Sequence, residues 1–402
     1  MSSFLSIESP EIALAWWTQS AQRSALQNML SLCGGRDVIS FALGLPAPNQ
    51  FPIKAIEDSI VKVLRGEPRA LQYSPPLESL KQQVQTLMRE RGVNCSTEQI
   101  FLTCGAQQGM NLLARLLLDA GDGKVLLEEL AYTGFQQILT THGVDLLTVP
   151  ADSESGMDLD AVEALLSSGA RPAFIYAVTD GHNPLGVSMS LANRIRLVEL
   201  AREYAVPIVE DDAYGFLHYE EECSPPLRAL DDKWVLYVGS FSKILAPSLR
   251  VGWVVVPEEL MLSLSIVKEA TDIDTATLAQ RTVSAYLDSG CHEDHIENLR
   301  SLYRCRRDAM LCALEEHFPA EARWHKPTSG FFIWLELPAT INTTDLLKVA
   351  IEEENVAFIP GEVFNVGRRR GPTSALRLNF SHPSPENIEE GIARLGRLIN
   401  RY

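Results

Sequence analysis

Lys243 stands in the run Gly239-Ser240-Phe241-Ser242-Lys243, behind the apolar stretch Trp234-Val235-Leu236-Tyr237-Val238 and ahead of Arg250. A lysine at the end of a buried strand gives up its proton more readily, because burial disfavours the ammonium form. A neutral amine can attack an aldehyde and form an imine. The hydroxyls of Ser240 and Ser242 and the guanidinium of Arg250 are the groups that a phosphate anion needs. An imine-forming lysine beside a phosphate cradle describes a pyridoxal phosphate (PLP) site. Taken by itself, the segment also fits an ordinary loop lysine after a strand.

Further segments carry compatible chemistry. Gly105-Ala106-Gln107 lies between a strand pattern and a helix pattern, where backbone N–H groups at a helix N-terminus hold phosphate. A plain turn is the alternative. Tyr132 follows the next strand and could stack on a flat ring, or be a core tyrosine. Asn183, in His182-Asn183-Pro184-Leu185-Gly186, could donate to a phenolate oxygen, or serve only the turn. Asp211, in Val209-Glu210-Asp211-Asp212-Ala213-Tyr214, could keep a pyridine nitrogen protonated and so make the ring a better electron sink. A cap or a solvated loop is the plainer role. Tyr214 could reach the ring hydroxyl beside Asn183. Arg377 sits among apolar neighbours in Leu376-Arg377-Leu378, and a buried guanidinium calls for an anion. A substrate carboxylate or a structural salt bridge would serve.

These residues need a frame that brings them together. Strand patterns at 100–103, 124–128, 145–149, 172–177, 207–210, 234–238 and 251–256 alternate, for the most part, with helical patterns at 107–118, 132–142, 159–167 and 191–204. Continuous apolar strands between helices indicate an α/β fold with a buried, mostly parallel sheet. Ligands gather beyond the carboxyl ends of such strands, where most of the polar residues above fall. Helices are expected at 11–33, 53–64 and 77–91, and an extended segment at 38–42. Beyond about residue 260 the pattern predicts a long helical stretch over 262–318, short strands at 331–337 and 376–380, and a last helix over 385–399. That is the signature of a smaller α+β domain, against which the first 45 or so residues could pack.

Bulk composition narrows the class. The 402 residues are 46% hydrophobic and 22% charged, as in ordinary globular proteins. A net charge of −17 argues against nucleic acid as a partner. The seven cysteines are irregularly spaced without a C-x-x-C pair, which suggests reduced thiols and a cytoplasmic setting. Cys291-His292 with His295 lacks a second ligand pair, so no metal is expected. The start Met1-Ser2-Ser3-Phe4-Leu5 has no basic region or long apolar run, and no stretch is long enough to span a membrane.

Together the pieces resemble the fold type I PLP enzymes, specifically class I/II aminotransferases, and within them the branch of 2-aminoadipate and kynurenine aminotransferases and the aminotransferase-like half of MocR-type regulators. The resemblance spans about residue 20 to the end. It is carried by Val38-Ile39-Ser40-Phe41-Ala42-Leu43-Gly44-Leu45-Pro46, Leu71-Gln72-Tyr73, Asn183-Pro184-Leu185-Gly186, Glu210-Asp211-Asp212-Ala213-Tyr214, Gly239-Ser240-Phe241-Ser242-Lys243, Gly330-Phe331-Phe332-Ile333-Trp334-Leu335 and Arg377-Leu378-Asn379-Phe380. It implies a large PLP-binding domain (46–275) with a mostly parallel seven-stranded sheet, a small domain (276–402) and an N-terminal segment (1–45) packed on the latter. It implies that Lys243 carries the internal aldimine and shuttles the proton, that Asp211 pairs the ring nitrogen and stabilises a quinonoid carbanion, and that Tyr132 stacks on the ring. Asn183 and Tyr214 would contact the ring hydroxyl. Gly105, Ala106, Gln107, Ser240, Ser242 and Arg250 would hold the phosphate. Arg377, Asn183 and Gly44 would bind substrate. Tyr73 would reach the phosphate of the neighbouring subunit in a homodimer.

The chain departs from the family pattern around the site. Leu43 replaces a glycine, the loop Tyr73-Ser74-Pro75-Pro76-Leu77 is shortened, and Ala106 stands where a hydroxyl residue is frequent. Thr179-Asp180-Gly181-His182 is unusual, and Asp180 and His182 are either extra acid–base groups or loop residues. The expected activity is transamination of an α-amino acid to a 2-oxo acid. Elimination, replacement, decarboxylation or oxidation on the same carbanion is the alternative. A DNA-binding regulator is disfavoured, since only about 40 residues precede Gly44-Leu45-Pro46.

Overall fold

The computed structural model of the chain describes residues 15–19, 38–119, 123–220, 223–366 and 374–401. Its largest sheet has seven strands: β1 (Ile100–Thr103), β2 (Lys124–Glu128), β3 (Asp145–Val149), β4 (Phe174–Ala177), β5 (Ile208–Asp211), β6 (Val235–Ser240) and β7 (Gly252–Val255). Their order is β1-β7-β6-β5-β4-β2-β3. The pairs β2–β3, β2–β4, β4–β5 and β5–β6 are parallel, while β7 runs antiparallel to both of its neighbours. This is the α/β sheet expected from the alternating pattern. Its central strands are buried throughout because helices cover both faces. On one face, Met110, Leu113 and Phe135 pack on Leu236 and Val254. On the other, Leu166, Leu197 and Ala201 pack on Ile175 and Val235. Gly239 belongs to the first layer of close contacts: a Cβ there would lie 2.4 Å from the Trp253 indole on β7.

Caps set several helix starts. Asp158 Oδ1 accepts from the N–H groups of Asp160 and Ala161 at 2.9 and 3.0 Å and opens the helix Leu159–Ser167. Ser190 and Ser384 do the same for Leu191–Tyr204 and Pro385–Ile399. The carboxyl ends of β1 through β6 all reach one edge of the sheet, and the antiparallel β7 begins there.

The long helical stretch expected over 262–318 is instead three helices, Met261–Asp272, Thr277–Leu287 and His292–His317. The breaks fall at Ile273, with φ 68°, and Gly290, with φ 75°. Apolar periodicity runs through both breaks because each helix buries its own face, so the pattern hides them. A second sheet contains β8 (Arg323–Trp324), β9 (Phe332–Glu336), β10 (Ile359–Pro360) and β11 (Ala375–Asn379), all antiparallel, in the order β8-β9-β11-β10. β8 and β10 are too short to show in a periodicity. Ile39–Ser40 pairs with Val356–Ala357, and Phe41 fills the space that Gly391 leaves on the last helix. Of the helix expected over 11–33, Ala15 is non-helical, residues 16–19 form a 3-10 turn, and 11–14 and 20–33 lie outside the described residues.

Behind the strand ends lies a buried ion network. Arg91 Nη2 meets Asp180 Oδ2 at 3.0 Å and Asp212 Oδ2 at 3.2 Å, and Arg194 Nη2 meets Asp180 Oδ1 at 2.8 Å. Tyr237 donates to Asp212 Oδ2 at 2.9 Å. Burial pushes the Asp180 carboxyl up, but Arg194 and Arg91 outweigh it and hold it below the ordinary aspartate range. Removing one member strands the others without water or partner. Asp180→Ala is therefore expected to cost about 3 kcal/mol or more of unfolding free energy. Urea unfolding followed by circular dichroism checks this; a loss below about 1 kcal/mol would contradict the role assigned to the network.

Candidate active site

The loops beyond the strand ends enclose a cavity of about 430 Å³. Lys243, Asp211, Asn183, Tyr132, Tyr214 and Arg377 line it. So do Gly44, Ala106, Gln107, Ser240, Ser242 and Arg250. They come from several separate turns of the chain: Asp211 ends β5, Lys243 follows β6, Asn183 lies beyond β4, Tyr132 beyond β2, and Arg250 just before β7. Arg377 comes from β11 of the second sheet, where it pairs with Trp334.

At the phosphate-type end, Gly105 caps the helix Ala106–Leu117 with φ +84°, a conformation open to glycine. A Cβ there would sit 2.6 Å from Arg250 Nη2, so the missing side chain also makes room for the guanidinium. Arg250 is steered by a 2.8 Å bond from Nη2 to the Cys104 carbonyl. Ser240 Oγ donates to Ser242 Oγ at 2.9 Å and accepts from the Ser242 N–H at 3.1 Å. Helix N-terminal N–H groups, hydroxyls and an arginine thus converge where an anion would be held.

In the middle of the cavity, Lys243 Nζ donates to the Gly44 carbonyl at 2.8 Å. Burial, then the positive charge of Arg377, bring its pKa down to about 8, with Asp211 opposing. The carbonyl can be this close because Gly44 has no Cβ; one would lie 2.6 Å from Phe332 Cζ. Asp211 is pushed up to about 6, first by burial. Its Oδ2 accepts from the Tyr176 hydroxyl at 2.7 Å. Its Oδ1 is buried without a partner among the described residues. Tyr214 packs edge-on against Phe331 and Phe332, and burial keeps its phenol protonated. The Tyr132 ring occupies the space that Gly134 leaves open.

Arg377 closes the other end. Its Nη1 donates to Asn183 Oδ1 and its Nη2 to the Ala42 carbonyl, both at 2.6 Å. The guanidinium lies 4.1 Å from the Phe332 ring centre and 4.8 Å from that of Phe364. Among the described residues no carboxylate pairs with it. Burial brings its pKa down to about 10, so an arriving anion would relieve a strained charge.

The remaining sequence candidates fall elsewhere. Tyr73 is 79% exposed and lies outside the cavity of its own chain. Asp180 belongs to the arginine network. His182 is buried, with Nε2 at 2.8 Å from Glu128 Oε2. Its Nδ1 accepts from the Leu185 N–H at 3.3 Å, so Nε2 carries the proton toward Glu128. Neither residue lines the cavity, and both brace the turn that carries Asn183. Among the described residues no group of three His, Cys, Asp or Glu side chains could hold a metal ion. Sequence reasoning missed Tyr176, Phe332, Phe364 and Ile359 as parts of the site. Tyr176 looked like one more apolar strand residue, and the last three come close only through the second sheet.

These donors fit PLP: a buried amine of lowered basicity for the aldehyde, an unpartnered carboxylate oxygen for the ring nitrogen, and an anion cradle for the phosphate. Comparison with known proteins agrees. The aminotransferase class I and II family profile matches residues 36–395. Aromatic-amino-acid aminotransferase 1 of Thermococcus litoralis is 37% identical over 385 residues, covering 94% of this chain and 91% of that protein. The 2-aminoadipate transaminase of Thermus thermophilus is 37% identical over 388 residues, covering 94% of each. The crystal structure of Pyrococcus horikoshii kynurenine aminotransferase in complex with PMP superposes with a TM-score of 0.90 at 35% identity, covering 96% of this chain and 97% of that one. From its cavity, its sheet and these relatives alike, the chain belongs to the aminotransferase class I and II family, PLP-dependent enzymes of fold type I.

Proposed function

We propose that the chain transfers the amino group of an α-amino acid to yield its 2-oxo acid, with the residue roles that follow. The observation that carries this is the meeting, in one cavity, of the buried Lys243 amine, the unpartnered Asp211 oxygen and the Arg377 guanidinium without a carboxylate. When bound, PLP supplies an aldehyde carbon that takes up amino groups and a ring that draws off the charge left as a Cα proton departs. Lys243 Nζ anchors the cofactor at rest and afterwards takes the Cα proton; with a pKa near 8, an appreciable share of it is free amine at neutral pH. Asp211 Oδ1 would receive the ring N–H. Asn183 and Tyr214 would contact the ring hydroxyl, and Tyr132 would stack on the ring. Ser240, Ser242, Arg250, Gly105 and the first helical turn at Ala106 and Gln107 hold the phosphate. Arg377 grips the α-carboxylate, and its two phenyl neighbours exclude water, so the ion pair gains strength. Gly44 shapes the floor on which the substrate amine lies.

We further propose a homodimer. Leu71, Tyr73 and Ile273 are 75%, 79% and 60% exposed, and Ser74 Oγ lies 3.2 Å from Thr277 Oγ1, which brings the Tyr73 loop beside the helix that follows Ile273. An apolar surface of this kind suits a second copy, into whose site Tyr73 would reach. The proposed division of the chain is 1–45, 46–275 and 276–402. The six cysteines within the described residues are free, which suits a cytoplasmic enzyme of amino-acid metabolism and biosynthesis.

Incubation of the PLP-loaded protein with a single amino acid is expected to give about one equivalent of the matching 2-oxo acid per site, detected by mass, as the cofactor takes up the amino group, and further turnovers only when an amino acceptor is added. Consumption of substrate without any oxo acid would sink the proposal. Lys243→Ala should abolish turnover, and Arg377→Met should raise KM about a hundredfold with a smaller change in kcat. The lowered pKa of Lys243 has a pH signature. Below about 8 the amine is mostly protonated and only its neutral fraction attacks, so capture of PLP at Lys243 by the apoprotein should rise about tenfold per pH unit up to about 8 and then level. Borohydride reduction and peptide mapping at each pH read this out. Continued increase toward pH 10 would show an ordinary lysine.

A further inference from the structure

Tyr176 is absent from every role assigned so far. It lies in β4, opposite Val209 of β5, and its hydroxyl crosses to Asp211 Oδ2 at 2.7 Å. Both side chains are buried. The Tyr176 ring is fixed from behind: Phe135 stacks on it with centroids 3.7 Å apart and planes 13° from parallel, and Phe135 in turn meets Phe174 edge-on. A phenol has one proton to give, and burial with the nearby Asp211 charge holds that proton on Tyr176. One carboxylate oxygen is therefore committed to the protein. The other, Oδ1, is left without a partner among the described residues on a side chain that lines the cavity.

We propose that Tyr176 is a positioning residue for the cofactor: it locks the Asp211 carboxylate in one orientation and keeps it ionised, so that Oδ1 meets the protonated ring nitrogen of PLP. The proposal rests on PLP being the group that the cavity holds. Burial raises the Asp211 carboxyl to about 6, and the Tyr176 hydrogen bond is the largest influence against it. Asp212 raises it further, while Lys243 and His182 lower it. Without the phenol, a buried carboxyl facing Asp212 would protonate near neutral pH. A protonated Asp211 could turn freely and could no longer stabilise a cationic ring nitrogen.

Tyr176→Phe removes the proton donor and keeps the ring and its stack. In the full-length apoprotein, aspartate carboxyls labelled with carbon-13 and assigned through Asp211→Asn should show the Asp211 midpoint moving from about 6 in the parent to above about 7 in the variant. The dissociation constant for PLP should rise about tenfold, the usual worth of a hydrogen bond to a charged group. For the analogue whose ring nitrogen is replaced by C–H, parent and variant should bind alike. Urea unfolding shows whether the variant is folded. Should it fail to fold, Phe135→Leu, which keeps the hydroxyl and removes its stacking support, is expected to shift the midpoint the same way by less. An unmoved Asp211 midpoint, or an equal loss of affinity for PLP and the analogue, would overturn the proposal. A parent protein that binds no PLP would instead overturn the cofactor assignment, and the titration would still decide whether Tyr176 keeps Asp211 ionised.

Discussion

Three charged groups, Lys243, Arg377 and Asp211, are held in one cavity largely out of water, and among the described residues none forms an ion pair. That arrangement costs stability, since each group would be better solvated outside. It persists because the surrounding fold is stable enough to hold it. The unsatisfied charges are also what gives the site its chemistry: a lysine made less basic, an arginine waiting for an anion and an aspartate oxygen without a donor.

The sheet topology makes the arrangement possible. Six strands end at one edge and the antiparallel β7 begins there, so residues far apart in the chain are brought to a common rim. The rim is then braced by polar groups that never face the cavity. Arg91, Asp180, Arg194 and Asp212 tie helices to strand ends through fully enclosed ion pairs. Glu128 and His182 hold the turn that bears Asn183, and Asn183 in turn holds Arg377. The paired charges form the support and the unpaired ones the site, a division that keeps the reactive groups in place without neutralising them.

Small and apolar residues shape the wall around the charged centre of the cavity. Leu43 lines the cavity beside Gly44, whose lack of a Cβ admits the Phe332 ring. Ala106 contributes backbone but no hydroxyl at the phosphate end. The relatives named above carry aromatic, 2-aminoadipate and kynurenine activities at nearly equal identity. Overall likeness therefore does not select the substrate side chain.

Much of the site was legible in the residues themselves. Lys243 behind an apolar strand, Asp211 at the end of another, Gly105 before a helix and Arg377 among apolar neighbours are each chemically conspicuous, because burying such groups is costly without a purpose. The alternation of apolar runs and helical periods likewise determined the α/β class and most element boundaries, since period follows directly from backbone geometry. Other features exist only as contacts between distant segments. Tyr176 reads as one more apolar strand residue until β4 pairs with β5 and aims its hydroxyl at Asp211. Phe332 and Phe364 become the walls around Arg377 only when the second sheet assembles. The helix breaks at Ile273 and Gly290 are masked by an apolar pattern that continues through them. Asp180 and His182 could be read as acid–base groups or as loop residues; in the fold Asp180 pairs with Arg91 and Arg194, and His182 with Glu128. Sequence thus determined which groups carry charge and which local periods form. Tertiary structure decided which charges are paired and which are left open, because pairing depends on the direction of side chains that lie tens of residues apart.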